Sequence, residues 1–311
     1  MNISECNGYA GDKSAGPIGP DVLVQPPMKQ LIITAEDFGL CKEVNEAVEA
    51  ASGEGILSAA SLMVSAPAAA DAVARARRLP CLRVGLHVVL VDGRPTLPPA
   101  EIPALVDRNG AFPTSLAGAG IRWFFSPAAR RQLEREVRAQ FEAFRATGLA
   151  FDHVNVHNHM HVHPTLLRIV LRLAAGFGVR RIRFPYEPAS LRRIGSRAPS
   201  FSERLGTLAL LPWLNLMRHR IARAGMRHND TLLGIGASGH LDEAAVVAML
   251  ERLPDGITEI CFHPAVRRTD RLASMMPGYN NTAEFAALTS PVVAERLHAL
   301  GLRPAGFADL R

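Results

Sequence analysis

The stretch QLIITAEDFG, residues 30–39, decides the fold. It opens with the apolar run Leu31–Ile32–Ile33 and closes with Glu36, Asp37 and Gly39. A short apolar run rich in β-branched residues, ended by a glycine, reads as a buried strand followed by a turn. The polar residues gather at its carboxyl end. The same order recurs in four distant segments. RVGL (83–86) ends in His87, HVNV (153–156) in His157, RRIR (180–183) at Arg183, and EICF (259–262) in His263. In a (β/α) barrel or an open parallel sheet the carboxyl ends of the strands carry the active site. Five separate segments are therefore expected to bring a carboxylate pair, several imidazoles and a guanidinium to one mouth.

Helical patterns lie between these strands. CKEVNEAVEAASGEG (41–55) places Val44, Ala47, Val48 and Ala51 at helical spacing. SAASLMVS (58–65) reads as a strand and APAAADAVARARRLP (66–80) as a helix. Residues 127–147 form a helix with Leu133, Val137, Phe141 and Phe144 on one face, and Pro164 opens another, PTLLRIVLRLAAG (164–176). A Pro-rich stretch near 92–114 is irregular. Strands alternate with helices from residue 30 to about 185 and return near 257. The expected fold class is α/β, a (β/α)-barrel-like domain over residues 28–311, irregular or incomplete in its closure. Residues 202–230 read as two helical segments broken at Pro212. They either cover the core or form a lid or interfacial patch for a lipid-like substrate.

Composition limits the partners. Of 311 residues, 48% are hydrophobic and 21% charged, which fits a globular protein with a sizeable core. The net charge of +6 is spread over short arginine groups such as Arg192–Arg193. Such an excess suits an anionic substrate or a membrane surface, though a solvated surface is the plainer reading. Three tyrosines, two tryptophans and no recognisable motif argue against nucleic acid. Cys6, Cys41, Cys81 and Cys261 form no CxxC pair and read as reduced thiols in a cytoplasmic setting. No apolar run reaches the roughly 18–20 residues of a spanning helix. Residues 1–27 lack a signal-peptide pattern. Rich in Gly and Pro, they are expected to be a disordered extension or the product of an upstream start codon. The sequence sets no oligomeric state, and a homodimer is compatible with it.

FDHVNVHNHMHVHP, residues 151–164, holds five of the eleven histidines, at 153, 157, 159, 161 and 163. Read as a strand, the segment puts them on one face. A straight strand would spread His157 to His163 over roughly 20 Å. Two or three at most then share one ion, and the rest touch substrate or line the surroundings. Carboxylate and imidazole together suit zinc and similar divalent ions. One Asp and two His leave open positions for water and substrate. A second carboxylate could serve as general base and an imidazole as acid, which suits hydrolysis of an amide or ester. Plainer alternatives remain for single residues. Glu36–Asp37 could face a helix dipole, His87 could be a core histidine, and His263 a strand-end cap.

IITAEDFGL, VGLHVVL, HVNVHNHMHVHP and CFHPA, in this order, resemble the YdjC-like carbohydrate deacetylases. The resemblance runs from Met28 to the C-terminus. It implies a (β/α)-barrel-like fold, one divalent metal ion (Zn or Mg first), and removal of acetyl from an N-acetylated sugar. The stretch 58–95 looks closest to the branch associated with hopanoid biosynthesis. That implies an N-acetylglucosaminyl hopanoid substrate, with the apolar, basic segment near 205–227 touching a greasy aglycone or the membrane. Carried over, the metal ligands are Asp37, His87 and His157. Glu36 is a base candidate, His263 an acid or oxyanion stabiliser, and Arg183 positions the sugar or orients a carboxylate. His159 and His161 are candidate substrate contacts. Glu36 departs from the family's Asp-Asp pair, and Asn155 stands where some relatives carry Asp. The competing readings are another metal hydrolase, of amidohydrolase or phosphoesterase type, and an inactive metal-binding homologue. The acidic pair comes first here and the His-x-His row late, which counts against an amidohydrolase. A phosphoesterase would more often need two metals.

Overall fold

The computed structural model describes residues 29–310, except 193 and 196–200, and gives no side-chain account of 201–205 and 207. The expected extension 1–27 lies outside the described residues. Six strands, all paired in parallel, form one sheet: β1 (Lys29–Phe38), β2 (Ala59–Leu62), β3 (Arg83–Val88), β4 (Val154–Val156), β5 (Thr231–Leu233) and β6 (Gly256–Phe262). Their order is β4-β3-β2-β1-β6-β5. The central strand β1 pairs with β6 from Lys29↔Gly256 to Ala35↔Phe262. Successive residues Leu31, Ile32 and Ile33 are all buried, because both faces of a parallel sheet are covered. The sheet curls into a half-barrel. Isolated parallel bridges, Val154↔Ile182 and Arg181↔Arg227, continue from β4 toward the segment that precedes β5.

Helices pack outside this curl: α1 (Lys42–Gly53), α2 (Ala69–Ala76), α3 (Leu116–Phe125), α4 (Pro127–Ala146), α5 (Pro164–Gly176), α6 (Phe201–Arg223), α7 (Glu243–Glu251), α8 (Asp270–Met275), α9 (Asn281–Leu288) and α10 (Pro291–Ala299). Helix α4 starts where Ser126 accepts the Ala129 N–H at 3.2 Å, with Pro127 in the first turn. Its buried face holds Leu133, Val137, Phe141 and Phe144, together with Glu136 and Gln140. Those two polar groups are spent on the irregular stretch. Glu136 accepts from the Thr96 and Leu97 N–H groups, and Gln140 exchanges hydrogen bonds with both backbone groups of Val89. The Pro-rich connection is thus tied to the helix by satisfied buried polar groups.

Residues 304–310 close the amino ends of the strands. Ala305 donates to the Leu31 carbonyl at 2.8 Å, and the Asp152 carboxylate accepts from the Phe307 and Ala308 N–H groups. Arg83 donates to Asp309, and Arg227 to the Leu310 carbonyl. Phe307 and Leu310 make a small apolar cluster with Ile32 and Ala59. The carboxyl ends of the strands, where the polar residues lie, stay open.

Several expectations are corrected. The histidine row is not a strand. Strand β4 stops at Val156, and His157–Val162 forms a 3-10 segment with Asn158 and His159 at φ 53° and 52°. Left-handed backbone cannot continue a pleat, so the imidazoles fan out instead of lining one face. The RRIR segment forms only single bridges at Arg181 and Ile182. Residues 201–223 are one helix that runs through Pro212. The lost hydrogen bond there is offset by Leu214, Met217 and Ile221, which bury one face at helical spacing. Cys41 and Cys261 are free thiols.

Candidate active site

The β1–β2 register shifts between Ala35 and Phe38, where Glu36 and Asp37 leave the regular ladder. Asp37 takes φ 58°, a left-handed value that Asp tolerates better than most residues. The chain then turns at Gly39, at φ 102°, whose N–H donates to Asn45 Oδ1 at 2.8 Å. A Cβ at Gly39 would sit 3.1 Å from the Met63 carbonyl oxygen, so the turn wants glycine on two counts.

This local geometry aims Asp37 at two histidines from neighbouring strands. Its Oδ1 lies 3.2 Å from His157 Nδ1 and 3.4 Å from His87 Nε2, and these two nitrogens are 3.2 Å apart. One ligand atom from each residue falls within 4.8 Å of the others. Both Asp37 oxygens are buried without a hydrogen-bond partner. A buried carboxylate that makes no well-formed hydrogen bond and has only two imidazoles beside it is costly, and a cation between these three groups would satisfy it. The donor set, one carboxylate and two imidazoles, suits a small divalent ion. Burial alone would raise the Asp37 carboxyl, but the adjacent His157 and His87 outweigh it and hold the group well below the usual range.

Glu36 faces a different set. Its Oε1 pairs with Arg183, and Oε2 lies 3.4 Å from His263 Nε2. Burial alone would raise this carboxyl too, yet Arg183, His263 and His87 keep it well below the usual range. Burial would lower His263, but its bond and charge contact with Glu36 push it up to about 9. The ring is further held by Ser238 Oγ at 3.4 Å from Nδ1 and packs edge-on to Tyr279 at 5.2 Å. The His263 backbone N–H donates to Glu284.

Glu36, Asp37, His157, His159 and His263 line one cavity of about 450 Å³. Leu40, Met63, Met275, Met276 and Pro277 give it an apolar wall. His87 stands directly behind the cavity, fully buried. Two expected substrate contacts are not there. Arg183 is fully buried between Glu36 and Glu259 and does not line the cavity. Its guanidinium instead pairs with the Glu36 and Glu259 carboxylates. His161 is also fully buried, donating from Nε2 to the Arg183 carbonyl at 3.0 Å. The left-handed turn at 158–159 swings it behind the wall while His159 stays on it.

Sequence reading missed Glu259, Ser238 and Tyr279. Glu259 carried a signal, since it is a carboxylate inside the apolar strand GITEICF. Ser238 and Tyr279 lie in loops after β5 and α8 and carried none.

Residues 30–299 match the YdjC-like protein family. A carbohydrate deacetylase from Brevibacillus brevis is 38% identical over 90% of this chain and 99% of its own length. Another carbohydrate deacetylase, from Geobacillus stearothermophilus, is 30% identical over 88% and 94%. The crystal structure of an Enterococcus faecalis V583 protein, suggested to cleave cellobiose phosphate, has the same fold. Its TM-score is 0.68 at 24% identity, over 90% of this chain and 97% of that one. The half-barrel, the acidic pair near the carboxyl end of β1 and the histidines at the carboxyl ends of β3 and β4 therefore sit in a chain that belongs to the YdjC-like protein family.

Proposed function

We propose that this chain is a metal-dependent carbohydrate N-deacetylase that hydrolyses the acetamide of an N-acetylated sugar. The observation that carries the reading is the division of labour between two adjacent carboxylates. Asp37, with two bare buried oxygens, joins His87 and His157, while Glu36 joins Arg183 and His263. When bound by Asp37, His87 and His157, a divalent ion (Zn or Mg first) would polarise the acetyl carbonyl and make water more acidic. Glu36 Oε2, the oxygen not taken by Arg183, accepts the proton of the attacking water. His263, protonated up to about pH 9, donates from Nε2 to the departing amine nitrogen. The C–N bond breaks, giving acetate and the free amine. The 3.4 Å contact between Glu36 and His263 then returns the proton. His159 is lowered to about 4 by burial, so it meets the sugar as a neutral hydrogen-bonding ring.

The substrate we propose is an N-acetylglucosaminyl hopanoid, reached at the inner face of a membrane. The resemblance of residues 58–95 supports it, as does the apolar cavity wall. A second feature is the exposed pair Phe124–Phe125 on α3, 53% and 73% exposed, beside a groove lined by Arg130, Arg168, Arg172 and Arg220. Aromatic rings with arginines around them suit an anionic lipid surface. Among the described residues no helix is long and apolar enough to cross a membrane.

The test is acetate release from an N-acetylglucosaminyl lipid and from a soluble N-acetylglucosaminide. Metal is removed and Zn, Mg, Mn or Co added back. Release should depend on metal and vanish in Asp37→Ala and His157→Ala. Release that survives chelation, or either substitution, would reject the metal reading. No release from any N-acetyl sugar would reject the deacetylase.

A further inference from the structure

A second line of buried polar groups runs behind His87, and the reaction above does not use it. The Asp152 carboxylate meets His153 Nδ1 at 2.9 Å, and His153 Nε2 meets Ser61 Oγ at 3.2 Å. Ser61 Oγ meets Asn155 Nδ2 at 2.7 Å, and Asn155 Oδ1 meets His87 Nδ1 at 2.8 Å. All five residues are at most 3% exposed. The middle of the chain cannot shift. The His153 ring stacks on Phe307 at 4.4 Å and rests against Gly85, where a Cβ would lie 2.5 Å from the ring.

The line has a direction set at its far end. Asp152 accepts the Phe307 and Ala308 N–H groups, so it faces His153 as an acceptor and His153 Nδ1 must donate. In a ring carrying one proton, that proton sits on Nδ1 and Nε2 accepts from the Ser61 hydroxyl. Ser61, its proton spent, accepts from the Asn155 amide nitrogen. The Asn155 oxygen is thereby turned to His87 and accepts from Nδ1. His87 Nε2 is left bare, facing Asp37 and His157.

Three contacts oppose this order. The Asn155 nitrogen lies 3.2 Å from both terminal nitrogens of Arg183, donor against donor, and its oxygen lies 3.3 Å from the Leu86 carbonyl oxygen, acceptor against acceptor. Turning the amide over would give Arg183 and Ser61 an acceptor. It would also put N–H against His87 Nδ1 and force the His87 proton onto Nε2, pointing at Asp37. One amide orientation readies His87 for a cation, and the other satisfies Arg183.

We infer that Asn155 is the positioning residue that decides which nitrogen His87 offers, and that Asp152, His153 and Ser61 hold it in the cation-ready orientation against the pull of Arg183. The inference rests on Asp37, His87 and His157 as the metal ligands. Hydrogen-bond partners of a ligating histidine commonly change metal affinity about 10–100-fold.

The experiment titrates Zn²⁺ into the full metal-free chain by calorimetry, comparing wild type, Asp37→Ala, Ser61→Ala, Asn155→Leu and Asn155→Asp. Ser61→Ala and Asn155→Leu should weaken zinc about 10–100-fold. Asn155→Asp should bind at least as tightly as wild type, because a carboxylate accepts from His87 and Arg183 at once. In the metal-free protein, ¹⁵N spectra should show His87 protonated on Nδ1 in wild type and shifted toward Nε2 in Ser61→Ala. Unchanged affinity in Ser61→Ala and Asn155→Leu would overturn the inference. So would an Asn155→Asp protein as weak as Asn155→Leu, which would leave only a packing role. If Asn155→Leu fails to fold, Ser61→Ala and Asn155→Asp decide alone. Wild type that takes up no zinc, or takes it up equally in Asp37→Ala, would reject the ligand set itself. Wild-type binding that Asp37→Ala abolishes, with the relay variants unaffected, would reject only the relay.

Discussion

Replacing Arg183 with Met tests the claim that this side chain is a buried strut and not a sugar contact. The guanidinium is fully buried and pairs with two carboxylates that are themselves buried, Glu36 and Glu259. Removing it leaves two negative charges in the interior with no cation between them. Breaking a buried pair in this way costs about 3–5 kcal/mol. At roughly 2–4 °C per kcal/mol for a domain of this order of size, the melting temperature should fall by roughly 6–20 °C. Urea unfolding followed by tryptophan fluorescence measures the loss directly. The double variant Arg183→Met/Glu259→Gln should recover part of it, because one of the stranded charges is removed with its partner. Kinetics give a second readout. Glu36 loses its orienting partner, so kcat should fall while KM for a small N-acetyl sugar barely moves. An Arg183→Met protein of wild-type stability, with KM raised and kcat kept, would refute the reasoning and return Arg183 to the substrate.

The pairing of His263 with Glu36 predicts a pH signature. Its value in the fold is raised from 6.5 to about 9, so its stabilising contribution is complete below 6.5 and is lost as pH rises toward 9. Denaturation midpoints of the metal-free protein should fall across that window, and His263→Gln should lack this part of the fall. Gly85→Ala drives a methyl into the His153 ring and should cost about 1–3 kcal/mol, read by chemical denaturation. Phe124→Ser with Phe125→Ser should leave turnover of a soluble N-acetylglucosaminide intact while reducing sedimentation with anionic vesicles and turnover of a lipid-linked substrate.

The barrel was legible because its strands are apolar first and polar last. LIITAED and EICFH show this order, and they became the best-paired strands of the sheet, β1 and β6. The cluster of Asp37, His87 and His157 was expected from the family resemblance, and each of the three also stands at the end of such a run. The histidine row misled because alternation in a sequence says nothing about a left-handed turn at Asn158 and His159. Arg183 was legible as chemistry but not as burial, since its partner Glu259 lies 76 positions away. The short strand β5 was hidden by its length of three residues, too few for a period to show. Helix α6 hid behind Pro212, a residue that favours a break unless packing overrides it.

The seal formed by residues 304–310 has a consequence for the order of assembly. Arg83 meets Asp309 across 226 positions of chain, and Asp152 meets Ala308 across 156. Contacts of such sequence separation close large loops, and those loops slow folding. The half-barrel must therefore gather most of its strands before the floor can be laid. Asp152 is fastened by that floor at one end and begins the line to His87 at the other. Shape at the catalytic mouth is thus completed by the last contacts to form, at the opposite end of the barrel. Local opening of the floor, which amide exchange at Phe307 and Ala308 would report, is where disorder would first reach His87.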